Sequence, residues 1–476
     1  MSNSFLKKYV GSRQFYRTTL SIALPIMLQN GITNFVSMLD NVMIGRVGNL
    51  EMTGVAIANQ LIFVFNLCIF GALSGVGIFG AQYHGRGDHE GVRNTFRIKY
   101  YVCLLLAVAG IVVFSVFGSQ LVSLYLRGDG TAENAAASLG FGIDYLRVMM
   151  WSFVPYAIAQ IYASTLRETG ETVLPMTAGI VAVIVNLSFN YILIYGHFGA
   201  PALGVKGAAI ATVISRFVEL TIVAFVTHRR KNRYVFISGV YRTMRVPLTL
   251  AKKVLVKGLP LLLNEAMWAA GVAMLNQCYS LRGQDVVSAT NITNTLWNVV
   301  SVTFMALGVT VGIIVGHDLG SGDTERAKSD DRKLIAFSLF MAIIVAGIYA
   351  ALSPFFPKIY NSPDDVRSLA GLFIVIGAIF MPFDALCHSS YFTVRAGGQT
   401  YITFLFDSVS MWVMNVPIAF VLSRYTDVPI SVLYGCMQAL TAVKAAVGIV
   451  LVRRGVWINN IVEEKNTGQR MKTVDT

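Results

Sequence analysis

Charged side chains are scarce in this sequence. Asp, Glu, Lys and Arg make up 13% of its 476 residues while hydrophobic residues reach 55%, with a mean hydropathy of +0.61. A water-soluble globular chain carries about 25% charged residues, so a soluble body is excluded. Cysteine is thin as well: Cys68, Cys103, Cys278, Cys387 and Cys436 all fall in apolar stretches and no C-x-x-C pair occurs. They read as small core residues rather than as disulfide or metal-binding thiols. The six histidines, His84, His89, His197, His228, His317 and His388, lack metal-ligand spacing. No zinc or iron site is expected. No His, Cys, Ser and carboxylate set converges on a catalytic arrangement either, so the chain does not read as an enzyme.

Acid is the scarcer sign of charge, with 25 Asp and Glu against 38 Lys and Arg for a formal net charge of +13. Position decides what that excess means. The basic residues sit in short loops between long apolar runs, where they set membrane topology, so nucleic acid is not an expected partner. The runs lie near 16–44, 52–79, 95–118, 138–165, 174–195, 206–228, 255–280, 286–315, 333–353, 369–393, 401–424 and 429–452. Each is long enough to span a bilayer, and unpaired backbone polar groups are not tolerated in lipid, so each must be a helix. Lys7, Lys8, Arg13 and Arg17 precede a first run too long for a signal-peptide core, which is expected to be retained.

Basic residues in alternate connections place the N-terminus, the loops near 80–99, 229–257 and 316–333 and the C-terminal tail on the cytoplasmic side. Arg46, Arg127, Lys206 and Arg282 fall on the other. The expectation is an all-α protein of the inner (plasma) membrane, with twelve transmembrane helices in two pseudo-symmetric six-helix lobes. The division reads 1–228 for the N-lobe, 229–254 for a basic cytoplasmic linker, 255–452 for the C-lobe and 453–476 for a cytoplasmic tail. The run His228-Arg229-Arg230-Lys231 reads as part of a solvated linker.

An internal repeat underlies the two lobes. A shift of 235 residues lays Leu259-Pro260-Leu261-Leu262-Leu263 on Leu24-Pro25-Ile26-Met27-Leu28. The same shift sets Val311, Gly312, Ile313, Gly320, Gly322 and Asp323 on Val76, Gly77, Ile78, Gly85, Gly87 and Asp88. A shift of 228 sets Arg395, Gly398 and Thr400 on Arg167, Gly170 and Thr172. Six spans per half, an even number, keep both halves in one orientation, related by an axis along the membrane normal. Substrate sites in such proteins lie near the repeat interface.

Polar groups inside the spans carry the functional signal, because a carboxylate there costs roughly 2.5–3.5 kcal/mol and persists when paired or used. Asp40, Glu265 and Asp384 stand out. Glu265 and Asp384 each lie about 14 Å from the cytoplasmic end of their helices, close to the bilayer midplane, and are expected to share one site. Asp40, Asn190 and Thr212 fall at one depth, with Asn186 a turn deeper. Their carboxylate, amide and hydroxyl oxygens suit a hard monovalent cation or a relayed proton, and interhelical hydrogen bonding alone also accounts for the asparagines. Pro25, Pro155, Pro260 and Pro382 recur in the first and fourth helix of each half as hinge candidates, with static packing kinks as the alternative.

These residues resemble the multidrug and toxic compound extrusion (MATE) transporters, over essentially the whole chain. The resemblance is carried by Leu24-Pro25 with Met38-Leu39-Asp40, by Gly85-Arg86-Gly87-Asp88 and its partner Gly320-Ser321-Gly322-Asp323, and by Leu166-Arg167-Glu168-Thr169-Gly170 with Pro175. Asn186, Asn190 and the run Gly204-Val205-Lys206-Gly207-Ala208-Ala209-Ile210-Ala211-Thr212 add to it. Glu265 and Phe383-Asp384-Ala385 before Arg395-Ala396-Gly397-Gly398-Gln399-Thr400 look like the NorM-type branch.

The resemblance implies two lobes forming a V around a central cavity, with no bound cofactor. It implies export of organic cations or amphipathic drugs by a monomer in the lipid bilayer, in exchange for Na⁺ or H⁺. It assigns Asp40, Asn186, Asn190 and Thr212 to an N-lobe coupling site, and Glu265 with Asp384 to a C-lobe one. Some relatives carry an acid where this chain has Asn190, which weakens the case for Na⁺ in the N-lobe. The alternative on the same architecture is a lipid-linked oligosaccharide or lipid flippase. Such relatives line the cavity with several bases, whereas the in-span bases here are few, chiefly Arg147, Arg216 and Lys444.

Overall fold

The computed structural model describes residues 8–125 and 132–463. Lys7, Arg127 and the 464–476 part of the expected tail lie outside the described residues. Twelve helical spans follow one another: α1 Arg13–Gly45, α2 Asn49–Arg86, α3 His89–Tyr125, α4 in two pieces, Ala132–Met149 and Phe153–Glu168, α5 Val173–Tyr195 and α6 Val205–Arg229. The second half has α7 Leu248–Ser280, α8 in two pieces, Gln284–Val300 and Val302–Ser321, α9 Thr324–Leu352 and α10 Asp364–Ala396. It closes with α11, which spans 400–425, and α12 Ile430–Arg453. Ten described helices qualify as spans by length and composition alone. The other two are α1 and the divided α4.

Several helices run past their apolar stretch at the end where the basic loops gather, here the basic end. α2 continues to Arg86 and α9 starts at Thr324. Charged residues leave the hydrocarbon there without ending the helix, because backbone hydrogen bonding does not need lipid.

The repeated Gly-x-Gly-Asp motif is two tight corners at that end. Gly87 and Gly322 adopt φ of 76° and 84°, the left-handed conformation that ends α2 and α8. Asp88 Oδ1 then accepts from Gly91 N at 2.8 Å, and Asp323 Oδ1 accepts from Arg326 N at 2.9 Å, capping α3 and α9. The first glycine of each motif serves packing between the lobes. A Cβ at Gly85 would overlap the carbonyl oxygen of His317, and one at Gly320 would overlap that of Gln82. These contacts map onto each other under the 235-residue shift, and Ala81, whose shifted counterpart is Gly316, touches that same glycine. A pseudo-twofold axis therefore passes between α2 and α8. Beside it α2 also meets α7, where Gly75 packs on Gly258 and Gly71 on Leu262. Small residues let these backbones approach closely.

The prolines behave differently from one another. Pro25, Pro260 and Pro382 lie inside continuous helices. Pro155 sits two residues into the second piece of α4, just after the tight turn Met150–Ser152. It has no N–H for the Trp151 carbonyl and its ring crowds that group, which accounts for the break.

The linker, expected to be a plain solvated tether, is folded, and so is the chain just past α12. In the 229–254 stretch Tyr234, Phe236, Ile237 and Val240 are buried against the N-lobe. Arg97 Nε donates to Val240 O at 2.9 Å and Tyr101 Oη to Met244 O at 2.9 Å, and α7 already begins at Leu248. Past α12, the chain around Trp457 to Val462 straps the two lobes together. Ile461 N donates to Gln82 Oε1 (2.9 Å), Arg86 Nη1 to Val462 O (2.7 Å) and Gln82 Nε2 to Ala396 O (2.8 Å).

Candidate functional site

The N-lobe cluster forms where α1, α5 and α6 meet. α5 presents Asn186 and Asn190 one turn apart on a single face, and both are buried. Asn190 Nδ2 donates to Asp40 Oδ1 at 2.7 Å. Assigned by its hydrogen-bonding neighbours, the Asn186 amide turns its nitrogen to the same carboxylate, 3.1 Å from Oδ2, and its oxygen to Thr212 Oγ1 at 3.1 Å. All four sequence-selected residues are thus joined around one carboxylate. Asn190 Oδ1 is buried with no hydrogen-bond partner among the described residues, an unfilled acceptor beside a negative group. One turn beyond Thr212 on α6, Arg216 Nη1 donates to Glu219 Oε2 at 2.8 Å, and the guanidinium carbon lies 5.0 Å from the Tyr156 ring centroid.

The C-lobe cluster has a centre that the sequence reading did not single out. Asp407 lies in α11, within the first of two wide π-helical turns, Leu405–Val409 and Met411–Asn415. Pro417, just beyond them, has no N–H to continue the ladder, and π turns of this kind gather at functional sites. Lys444 of α12 reaches Asp407 Oδ1 at 2.5 Å, and Asn264 Nδ2 donates to Asp407 Oδ2 at 3.0 Å. Ser408 Oγ in turn donates to Asn264 Oδ1 at 2.7 Å.

Glu265 and Asp384 do not touch each other among the described residues. Asp384 lies on α10, which packs along α12, the helix of Lys444, and Glu265 follows Asn264, the hydrogen-bond partner of Asp407. The Asp407–Lys444 pair thus stands on helices packed against those of the two expected carboxylates. Asp384 Oδ2 is buried without a hydrogen-bond partner among the described residues. The Glu265 side chain packs toward Gly71 of α2, placing it at the seam between the lobes.

Between the lobes lies a cavity with Tyr156, Gln160, Arg167 and Glu168 on one wall and Phe392 and Arg395 on the other. Its lining is largely apolar with a few polar groups, as in small-molecule sites.

The family model MatE matches residues 25–192 and 260–421, one segment in each lobe. This chain belongs to the MatE family. Members are membrane transporters, so the protein is a multi-pass transporter and not an enzyme. It is 25% identical over 433 residues to the probable multidrug resistance protein NorM of Thermotoga maritima, covering 89% of this chain and 90% of that one. Its fold matches the Vibrio cholerae MATE transporter VcmN with a TM-score of 0.82 at 18% identity, over 93% of this chain and 97% of that one. It also matches a MOP superfamily transporter from Pyrococcus furiosus, with a TM-score of 0.78 at 16% identity over 95% and 97%. Those two likenesses speak to the fold alone, and the fold is the V-shaped MATE arrangement of two six-helix lobes.

Three charged features of this MatE chain escaped the sequence reading: Asp407, the Arg216–Glu219 pair and the buried pair of Lys99 Nζ with Glu168 Oε2 at 2.5 Å. Asp407 met the same test that picked out Glu265, a lone acid in an apolar run, and was overlooked beside its polar neighbours Ser408 and Ser410.

Proposed function

We propose that the protein is a secondary active antiporter that exports amphipathic or cationic organic compounds in exchange for H⁺ or Na⁺. The observation that carries this reading is a half-buried carboxylate cluster inside each lobe, Asp40 with its two amides and, in the C-lobe, Asp407–Lys444 with Asp384 on the adjoining helix, each holding a buried oxygen without a partner among the described residues. A carboxylate in a low-dielectric site gains from neutralisation by a proton, a sodium ion or a cationic ligand, and competition among these links their movements. One charge moving inward through 100 mV supplies roughly 2.3 kcal/mol, enough for nearly a fifty-fold gradient of a neutral exchanged solute. The name of the Thermotoga maritima relative supports drugs as the cargo. Purified protein in liposomes, with Na⁺ and H⁺ gradients imposed one at a time, is expected to expel a fluorescent organic cation under one of them. No efflux under either gradient refutes antiport.

The basic end is assigned to the cytoplasm, with both chain termini there and the lobes closed together on that side. In a variant freed of its native cysteines, a cysteine at exposed Ser238 should label from the cytoplasm and one at exposed Asn361 from outside. Labelling of both from one side contradicts the assignment.

A further inference from the structure

The interlobe cavity lies on the pseudo-twofold axis. Its walls set Gly77 against Gly312 and Ile78 against Ile313 under the 235-residue shift, and Arg167 against Arg395 under the shift of 228. The symmetry fails at Glu168, whose counterpart is Ala396. That one acid is already satisfied: Glu168 Oε2 meets Lys99 Nζ at 2.5 Å, and Oε1 accepts from Ser164 Oγ at 2.8 Å.

The two arginines each keep a spare donor, although Arg395 also bonds the Tyr391 hydroxyl and lies 5.2 Å from the Phe392 ring centroid. Arg167 Nη2 donates to Gln29 Oε1 at 3.1 Å, but its Nε is buried without a partner, as is Arg395 Nη1, among the described residues. Neither guanidinium has a carboxylate at ion-pairing distance there. Glu219 is held by Arg216. Among the lining residues Arg167 and Arg395 thus outnumber Glu168, whose charge is met by Lys99. Partly dehydrated guanidinium groups with spare donors favour a planar oxyanion, which they bind through charge-assisted hydrogen bonds. Ile69, Phe70, Leu73 and Phe392 complete the wall with apolar surface.

We infer that this cavity binds the anionic head of an amphipathic organic molecule, a carboxylate or a phosphate on an apolar body, between Arg167 and Arg395. Anionic and zwitterionic amphipaths thereby join organic cations within the proposed cargo class. Calling the ligand cargo rests on the efflux reading, but the binding site does not.

The test uses the full chain in phosphatidylcholine nanodiscs, with fluorescence anisotropy of 1-pyrenebutyrate and of its neutral analogue 1-pyrenebutanamide. The parent should favour the acid by about tenfold or more, and R167Q and R395Q should each weaken the acid about tenfold while leaving the amide unchanged. R167K and R395K should keep much of the preference. Q160E, which adds a carboxylate to the wall and deletes no contact with the arginines, should weaken acid binding where an arginine variant fails to fold. Discs containing phosphatidylglycerol identify the natural source. Loss of pyrenebutyrate binding in them assigns the site to a lipid phosphate, and unchanged binding assigns it to a soluble organic anion. Equal affinity for acid and amide in the parent, or acid binding indifferent to the Arg→Gln and Q160E changes, overturns the inference and leaves ion-driven efflux untouched. Failure of efflux in liposomes with the acid preference intact removes the transport reading and leaves the site.

Discussion

Lys444→Met is expected to destabilise the C-lobe by about 3–5 kcal/mol, because it strands Asp407 as an unpaired charge in a largely buried position. Asn264, itself held by Ser408, would still donate to that carboxylate but supplies no countercharge. Detergent-solubilised protein should show a lower unfolding midpoint. Asp407→Asn combined with Lys444→Met removes both charges and keeps a shape that Asn264 can still bond. The double variant should therefore melt close to the parent while losing most ion-driven efflux, since the ion pair on helices packed against those of Glu265 and Asp384 is gone. A single variant that melts like the parent would show the pair to be dispensable for folding. A double variant that pumps normally would show it to be structural only.

Glu265→Gln and Asp384→Asn should each cut ion-driven efflux to about one-tenth of the parent rate or less, with insertion, expression and melting near normal. The amide keeps the outline of the side chain and deletes the titratable charge. The two positions differ in what surrounds them. Glu265 stands at the seam against α2, within range of Arg395, so its loss should also alter how tightly substrate binds. Asp384 lies on α10 against α12, the helix of Lys444, and carries an oxygen without a partner among the described residues, so its loss should act on coupling with little effect on substrate affinity. Parent-like transport by both variants under either gradient would falsify the assignment of a coupling role to these carboxylates.

The helices were legible because a span must be both long and apolar, and a membrane-length window measures that directly. The repeat was legible because glycine and aspartate have fixed duties at a corner, so Gly87-Asp88 and Gly322-Asp323 persist as a visible echo. The set around Asp40 could be anticipated because α5 and α6 are joined by a short connection and their facing residues fall at countable depths. Asp407 and Lys444 lie 37 residues apart on different helices, and the partner Asn264 is 143 residues from Asp407. No periodicity links them, and an in-span base and an in-span acid look alike until the fold shows that they meet. The linker misled for a related reason. Its charge made it look solvated, whereas Tyr234, Phe236 and Ile237, set among those charges, supply the apolar surface that pins it to the N-lobe.

The contacts of Gly85 with His317 and of Gly320 with Gln82 are made by main chain against main chain, once in each direction across the axis. Such a seal depends on where the chain runs and hardly on which side chains it bears. Either half can exchange the residues that face the cavity, as Glu168 and Ala396 already differ, without weakening the closure beneath it. The door and the lock are specified separately, and a change of cargo need alter only one of them.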